Sequence, residues 1–324
     1  MPRPPGAAGA ERPRADVGGG WHDERVPEMP EVEALAGFLR ERAVGRAVTS
    51  ARVAAIAALK TFDPPLHAIE GRPITAVRRY GKFLDLEIGG AEAAGTAPPA
   101  DPPVHLAFHL ARAGWLRWYD ELPATVLRPG KSPIALRVRL DDGAGFDLTE
   151  AGTKKSLAVY VVRDPADVPG IARLGPDPMT DAFTEHDFAG ILAGRRTQLK
   201  GLLRDQSVLA GIGNAYSDEI LHAARMSPYK LAATLDADEV ARLYAAMRAT
   251  LREALDEASG KPAAELKDAK RRRLRVHGRT GEACPVCGDT IRQVEFHDST
   301  FQYCPTCQTG DKPLADRVRS RLLK

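Results

Sequence analysis

Membrane-length hydrophobic runs are missing from this chain of 324 residues. No stretch approaches the roughly 20 consecutive apolar residues that a helix needs to cross a bilayer. The first 25 residues, MPRPPGAAGAERPRADVGGGWHDER, hold no continuous apolar segment of the signal-peptide kind. The expectation is an intracellular, cytoplasmic protein without a membrane partner. An excess of charge of one sign is lacking too: the formal net charge is only +3, so the distribution of charge carries more information than its total. Cysteine is confined to the last 41 residues. What is present is a hydrophobic fraction of 44%, enough at this length to bury a core and to suggest two or three domains.

The four cysteines, Cys284, Cys287, Cys304 and Cys307, form two CxxC pairs with 16 residues between them. A hairpin across that gap brings four thiolates to one tetrahedral Zn²⁺, while an intracellular setting argues against disulfides. Pro285, Gly288 and Pro305 supply the tight turns. The other reading, free or redox-active thiols, fits this spacing poorly. Four sulfurs leave no open coordination position, so the zinc is expected to be structural. Immediately before it, the segment KDAKRRRLRVHGR (267–279) gathers Lys267, Lys270, Arg271, Arg272, Arg273, Arg275 and Arg279. Such a run reads either as a solvated, flexible basic loop or as a nucleic-acid contact, and its place beside a zinc-type module favours the second.

Residues 1–25 are rich in Pro, Gly and Arg without apolar periodicity and are expected to be disordered. Pro30 then opens a segment in which Val32, Leu35, Ala36 and Leu39 share one helical face. From Ala47 to about Val162 the period shortens to strand-like runs: ITAVRRY, KFLDLEI, VHLAFHL, IALRVRL and LAVYVV. The low-complexity stretch 89–103 reads as a hairpin tip. This part is expected to be a β-sandwich with a helix at its start. After Pro169 the period becomes helical. Thr184 and Asp187 resemble a capping box, and a longer helix runs from about Asp238 to Ala258, with Gly260 to end it. The class is therefore α+β. Expected boundaries are 1–25 for the extension, 26–168 for the sandwich, 169–275 for the helical domain, 276–310 for the zinc hairpin and 311–324 for a basic tail.

Within the helical part, GIGN (211–214) places glycines before a helix N-terminus, where free backbone NH groups and the dipole suit a phosphate oxygen. Glycines in a helix-turn-helix mostly serve the turn, so this signal is weak alone. It gains weight in company. PEMPEVEAL (27–35), the lysine in RRYGKFLDL (78–86), HLARAGWLR (109–117), GIGNAYSDEIL (211–221) and the zinc ribbon together resemble the Fpg/Nei family of DNA glycosylases, in the family's order. That resemblance implies an N-terminal β-sandwich, a helix-two-turn-helix domain with a C-terminal zinc-ribbon hairpin, and double-stranded DNA containing damaged bases or abasic sites as partner. It also implies base excision repair by a bifunctional DNA glycosylase/AP lyase, a monomer at the nucleoid with one structural zinc and no nucleotide cofactor.

Carried onto this sequence, Pro27 matches the family's catalytic N-terminal proline, whose amine attacks the sugar C1′ to give an iminium. Glu28 matches the adjacent acid, and Lys82 the lysine at the phosphate near the lesion. Lys200, Asn214 and Tyr216 match phosphate contacts of the helical domain. An α-amine near pKa 7.7–8.0 is partly unprotonated at neutral pH, which makes it a better nucleophile than an ordinary lysine, and a neighbouring carboxyl can move protons. One obstacle stands out. Inside a chain, the nitrogen of Pro27 is a tertiary amide. Valine is what a GTG start codon spells when it is translated internally, so we expect translation to begin at Val26, read as methionine and removed, which exposes Pro27.

Several positions depart from the family pattern. Arg112 stands where a methionine often fills the gap left by the flipped base. The segment KKSL (154–157) replaces the RRFG loop; Lys155 keeps a charge, but Ser156 is no wedge. Ser299 occupies the place of a phosphate-gripping arginine, for which Arg292 or the basic run are the available substitutes. The stretch 260–275 lacks the long Gly-Thr-rich loop of members that cap an oxidised purine, which points to an endonuclease VIII-like preference for oxidised pyrimidines and abasic sites. Two other readings compete with the enzyme: a non-catalytic binder of damaged or abasic DNA, and a zinc-ribbon interaction protein. The last leaves 27–35 and 197–228 unexplained.

Overall fold

The computed structural model describes residues 26–89, 102–128, 132–151, 155–296 and 299–315. The expected disorder of 1–25 and most of the expected hairpin tip lie outside the described residues.

The chain enters through helix α1 (Met29–Ala43), which Pro30 starts and where the Glu31 carboxylate accepts the Glu28 NH at 2.9 Å. Ten strands follow among the described residues: β1 (Val48–Val53), β2 (Ile74–Tyr80), β3 (Phe83–Ile88), β4 (Val104–His109), β5 (Gly114–Tyr119), β6 (Ile134–Leu140), β7 (Gly145–Glu150) and β8 (Ala158–Val162), with β9 (Arg292–Phe296) and β10 (Ser299–Tyr303) near the end. The first eight form two antiparallel four-stranded sheets, in the orders β1-β6-β7-β5 and β2-β3-β4-β8. Period-2 alternation sends Leu84, Leu86 and Ile88 of β3, and Leu106 and Phe108 of β4, to the inner face, where they meet Leu136, Val138, Phe146 and Leu148 of the opposite sheet. The expected β-sandwich is what forms, and Val32, Leu35 and Leu39 of α1 join its core.

The helical part comprises α2 (Pro169–Ala172), α3 (Glu185–Leu192), α4 (Leu199–Arg204), α5 (Asn214–Ala223), α6 (Ala237–Ala258) and α7 (Leu266–Arg273), and a short α8 (Pro305–Thr309) lies in the zinc hairpin. Thr184 and Asp187 do close a capping box on α3, and Gly260 takes a left-handed φ of 74° beyond the end of α6. The second core gathers Phe188, Leu203, Ile220, Leu243, Met247 and Leu251. Met29 belongs to it as well, so the first residue of α1 is packed in one half of the molecule and the rest of the helix in the other.

The basic segment differs from its plainer expectation as a flexible loop. Residues up to Arg273 form α7, whose Leu266, Ala269 and Lys270 are buried while Arg271 and Arg272 face outward. Spacing at i, i+3 and i+4 explains the split: apolar Leu266 and Ala269 choose the face, and Lys270 follows them inside. The Trp115 indole NH donates to the Ala263 carbonyl at 3.0 Å, tying the approach to α7 onto the sandwich.

Within the sandwich, Arg137 and Asp147 make a buried two-pronged ion pair at 2.7 and 2.8 Å. Arg137→Met leaves the Asp147 carboxylate uncompensated in the interior and should cost about 3–5 kcal/mol, read as a lower urea midpoint. A loss below about 1 kcal/mol would show that water reaches this pair.

Candidate active site and metal centre

Three chain segments that are distant in sequence meet beside Pro27. The first is 27–29, at the head of α1. The second is the tight β2–β3 turn, where Gly81 has φ 56° and is followed by Lys82. The third is 211–214, ahead of α5, where Gly211 has φ 90°. They fit only without side chains at the glycines. A Cβ on Gly211 would lie 2.6 Å from the Met29 Cβ, and one on Gly213 would lie 2.4 Å from the Glu28 Cδ. The Met29 NH donates to the Gly211 carbonyl at 3.0 Å, which pins the first segment against the third.

Glu28 is buried with its carboxylate at the N-terminus of α5, where it accepts from the NH groups of Gly213 at 2.5 Å, Ala215 at 2.9 Å and Tyr216 at 3.4 Å. These are the orphan donors of the helix start. The anion site anticipated from GIGN is thus filled by the protein's own carboxylate. Burial pushes the Glu28 carboxyl up, but Lys270, Lys82, the Ala215 NH and His277 outweigh it and hold it at about 2. Glu28 is therefore ionised at any ordinary pH. Lys270, from α7, lies 3.6 Å from Glu28 and 3.2 Å from Glu31, and donates to the Val26 carbonyl at 2.7 Å. The Tyr216 hydroxyl donates to Glu31 at 2.5 Å.

The expected site residues divide into two groups. Pro27, Glu28 and Lys82 come together, with Lys82 close enough to act on both Glu28 and His109. Burial, assisted by Lys82, lowers the His109 imidazole to about 4, and its Nδ1 accepts the Ala111 NH at 3.1 Å. Arg112 is exposed in the β4–β5 turn, and Lys155 is exposed after β7, donating to the Glu150 carbonyl. Lys154 lies outside the described residues. By contrast, Lys200, Asn214 and Tyr216 are turned inward. Lys200 donates to the Asn214 carbonyl, the Ser217 hydroxyl and Asp218 at 2.6–2.8 Å, and burial pushes its ammonium down. Asn214 donates to the Thr300 carbonyl at 2.6 Å. These three side chains brace α5 and the zinc hairpin rather than lining an open surface. The sequence does not single out Glu31 or Lys270 as a site residue. Glu31, three residues after Glu28, carried a capping signal; Lys270 was hidden among neighbouring arginines.

The cysteine Sγ atoms of 284, 287, 304 and 307 all lie within 4.8 Å of one another. Zn–S bonds of about 2.3 Å set tetrahedral sulfurs about 3.8 Å apart, so the cluster fits one structural Zn²⁺. His222, at the end of α5, brings Nε2 within 3.3 Å of the Cys284 Sγ. Asp218 accepts from the Gln302 NH at 3.1 Å and pairs with His277 at 2.7 Å, so the hairpin is fastened to the helix whose other end holds Glu28.

Three family descriptions match the chain in order. They are the formamidopyrimidine-DNA glycosylase N-terminal domain over 26–155, the formamidopyrimidine-DNA glycosylase H2TH domain over 174–264, and the zinc finger found in FPG and IleRS over 281–310. A formamidopyrimidine-DNA glycosylase of Heliobacterium modesticaldum is 33% identical over 87% of this chain and 100% of its own length. An uncharacterised formamidopyrimidine-DNA glycosylase-like protein of Mycobacterium tuberculosis is 54% identical over 49% of this chain and 99% of its own. Among solved structures, the MutM (Fpg) protein of Thermus thermophilus superposes with a TM-score of 0.70 at 29% identity, covering 89% of this chain and 100% of that one. Lactococcus lactis Fpg bound to DNA containing N7-benzyl-Fapy-dG gives 0.74 at 25% identity, over 87% and 100%. No described helix is long and apolar enough to cross a membrane.

Gly213→Ala should drive the Glu28 carboxylate off the α5 terminus. Displacements of about 1 Å at such a site cost on the order of 100-fold in rate, so single-turnover base excision should fall steeply, with a lowered urea midpoint, in a protein that still folds by circular dichroism. Unchanged excision would mean that the Glu28 position is not critical. Chelation of zinc should remove hydrogen-exchange protection from β9 and β10 while leaving the sandwich strands protected, because structural zinc supplies much of such a hairpin's folding energy. Protection retained at β9 and β10 after complete chelation would contradict that.

Proposed function

The chain belongs to the formamidopyrimidine-DNA glycosylase family, and from that premise we propose that it is a bifunctional glycosylase and AP lyase acting on damaged double-stranded DNA. The observation that carries the reading is the convergence of Pro27, an ionised Glu28 and Lys82 at the junction of the two halves. In this proposal the damaged nucleotide is flipped out of the stack, and the amine of Pro27 attacks its C1′ as the base departs. The amine's proton goes to the departing base; the C1′–O4′ bond then breaks, O4′ taking a proton from solvent, and leaves C1′ joined to Pro27 as an iminium, from which loss of a C2′ proton expels the 3′ phosphate and breaks the strand.

Glu28 supports this as a permanent anion. It favours the cationic iminium electrostatically, and its low proton affinity makes it a better stabiliser of positive charge than a general acid. Lys82, on a rigid turn beside it, suits a phosphate next to the lesion. The outward Arg271 and Arg272 of α7 suit more distant phosphates. Residues 260–275 pack against the sandwich and α1 instead of forming a long capping loop, which supports the preference for oxidised pyrimidines and abasic sites. The phosphate roles drawn for Lys200 and Tyr216 are better exchanged for support of α5, given the partners they hold.

The chemistry requires that the Val26–Pro27 peptide bond be absent, because an amide nitrogen forms no iminium. A protein beginning at Pro27 after methionine removal should form a borohydride-trapped adduct with abasic-site DNA. The chain from Met1, verified by intact mass, should bind that DNA without trapping. Efficient trapping by the verified full chain would identify another amine as the nucleophile. Binding without trapping by both proteins would favour the non-catalytic damaged-DNA binder.

A further inference from the structure

We infer that Lys270 is a positioning residue that keeps the Pro27 amine unprotonated, using the ammonium that in the continuous chain is bonded to the Val26 carbonyl. The inference rests on the reading of Pro27 as the nucleophile and deepens it. No lysine in the basic run is required by the reaction as proposed so far, yet this one has left its neighbours on the surface for the protein interior. It is 4% exposed, whereas Arg271 and Arg272, next to it on α7, are exposed.

The geometry specifies what the buried ammonium does. Glu28 and Glu31 flank it at 3.6 and 3.2 Å, the Tyr216 ring lies 4.9 Å away, and the Val26 carbonyl oxygen accepts from it at 2.7 Å. A carbonyl oxygen lies about 2.3 Å from the nitrogen of its own peptide bond, so the Lys270 Nζ is at most about 5 Å from the Pro27 nitrogen. When Val26 is gone, its carbonyl goes with it. The N–H that pointed at that oxygen then faces the prolyl nitrogen, and only the unprotonated amine has a lone pair to accept it. A protonated amine would set two like charges within about 5 Å in a buried place, which disfavours its charged form. Lysine presses the equilibrium toward the nucleophile, as a cation beside a catalytic amine does.

Other charges face the same point and set the balance. Glu28 and Glu31 on α1 favour a protonated amine. Lys82 on the β2–β3 turn and His277 beyond α7 bear on Glu28 from the opposite sign, and Lys200 is joined to Asp218. Tyr216 on α5 is neutral, since burial and Glu31 push its hydroxyl well up. With the two carboxylates held by α5 donors, by the Glu28 NH and by Tyr216, Lys270 is the charge whose removal changes the amine's surroundings most directly.

The test uses the protein beginning at Pro27 and follows cyanoborohydride trapping on abasic-site DNA as a function of pH, in the wild type, Lys270→Met and Lys270→Arg. The wild-type midpoint should lie below the 7.7–8.0 of an exposed α-amine. Lys270→Met should move it up by about one unit or more, and Lys270→Arg should restore it. A Lys270→Met midpoint equal to or below that of the wild type overturns the inference, whatever the maximal rate. Should Lys270→Met fail to fold, the ¹⁵N shift of Pro27 in the wild type gives the midpoint directly, and a value at or above that of an exposed α-amine overturns the inference equally. Absence of any wild-type adduct at every pH is a different failure: it removes Pro27 as the nucleophile, and the role of Lys270 falls with it.

Discussion

A buried carboxylate at the start of a buried helix is the interaction on which the rest of this molecule depends. Glu28 comes from the sandwich half and the donors of α5 from the helical half. Neither partner tolerates burial alone: a lone carboxylate would carry a desolvation penalty of several kcal/mol, and α5 would begin with unsatisfied NH groups. Together they fix the distance between the halves. The requirement propagates into the sequence, because Gly213 must lack a side chain for Glu28 to reach the helix, and Gly211 must lack one for Met29 to pass. The same contact sets an acid limit. Glu28 is held at about 2 against an ordinary 4.5, so its contribution to stability is complete above about 4.5 and is lost as pH falls through that window toward 2.

A second layer of buried polar groups carries the constraint outward. Asp218 collects Lys200, His277 and the Gln302 NH, while Glu219 accepts from the NH groups of Arg275, Val276 and His277. Through these bonds the chain between α7 and the zinc hairpin is held against α5. The far end of that helix touches the metal cluster through His222 and Cys284. Zinc, α5 and Glu28 therefore form one connected rigid unit, which is the property required if a nucleophile is to be held against a single sugar carbon.

Much of this was legible in the sequence, for identifiable reasons. IALRVRL alternates at Leu136, Val138 and Leu140 and forms β6, and ITAVRRY forms β2, over the same residues. Thr184 and Asp187 announce α3, and the paired CxxC motifs announce the metal cluster. Less visible was β7, since GFDLTE mixes buried charge with apolar residues; Asp147 is inside only because Arg137 meets it there. Periodicity cannot report such a partner. The inward turn of Lys200 and Lys270 was hidden for the same reason. A lysine reads as a surface residue until its acceptors are known, and these acceptors lie 18 residues away for Lys200 and 244 residues away for Lys270.

The demands of the fold and those of the chemistry separate at one bond. Folding uses the Glu28 carboxylate, the Met29 side chain and the amphipathic face of α1, all of which follow Pro27 in the chain. Catalysis of the proposed kind requires in addition the Pro27 nitrogen, in a state that the preceding peptide bond forbids. A continuous chain can consequently be well folded, bind zinc and present its basic face to DNA, and still have no nucleophile. Loss of the residues before Pro27 removes the Val26 carbonyl to which Lys270 donates. Structural integrity in this protein is therefore not by itself a measure of catalytic competence.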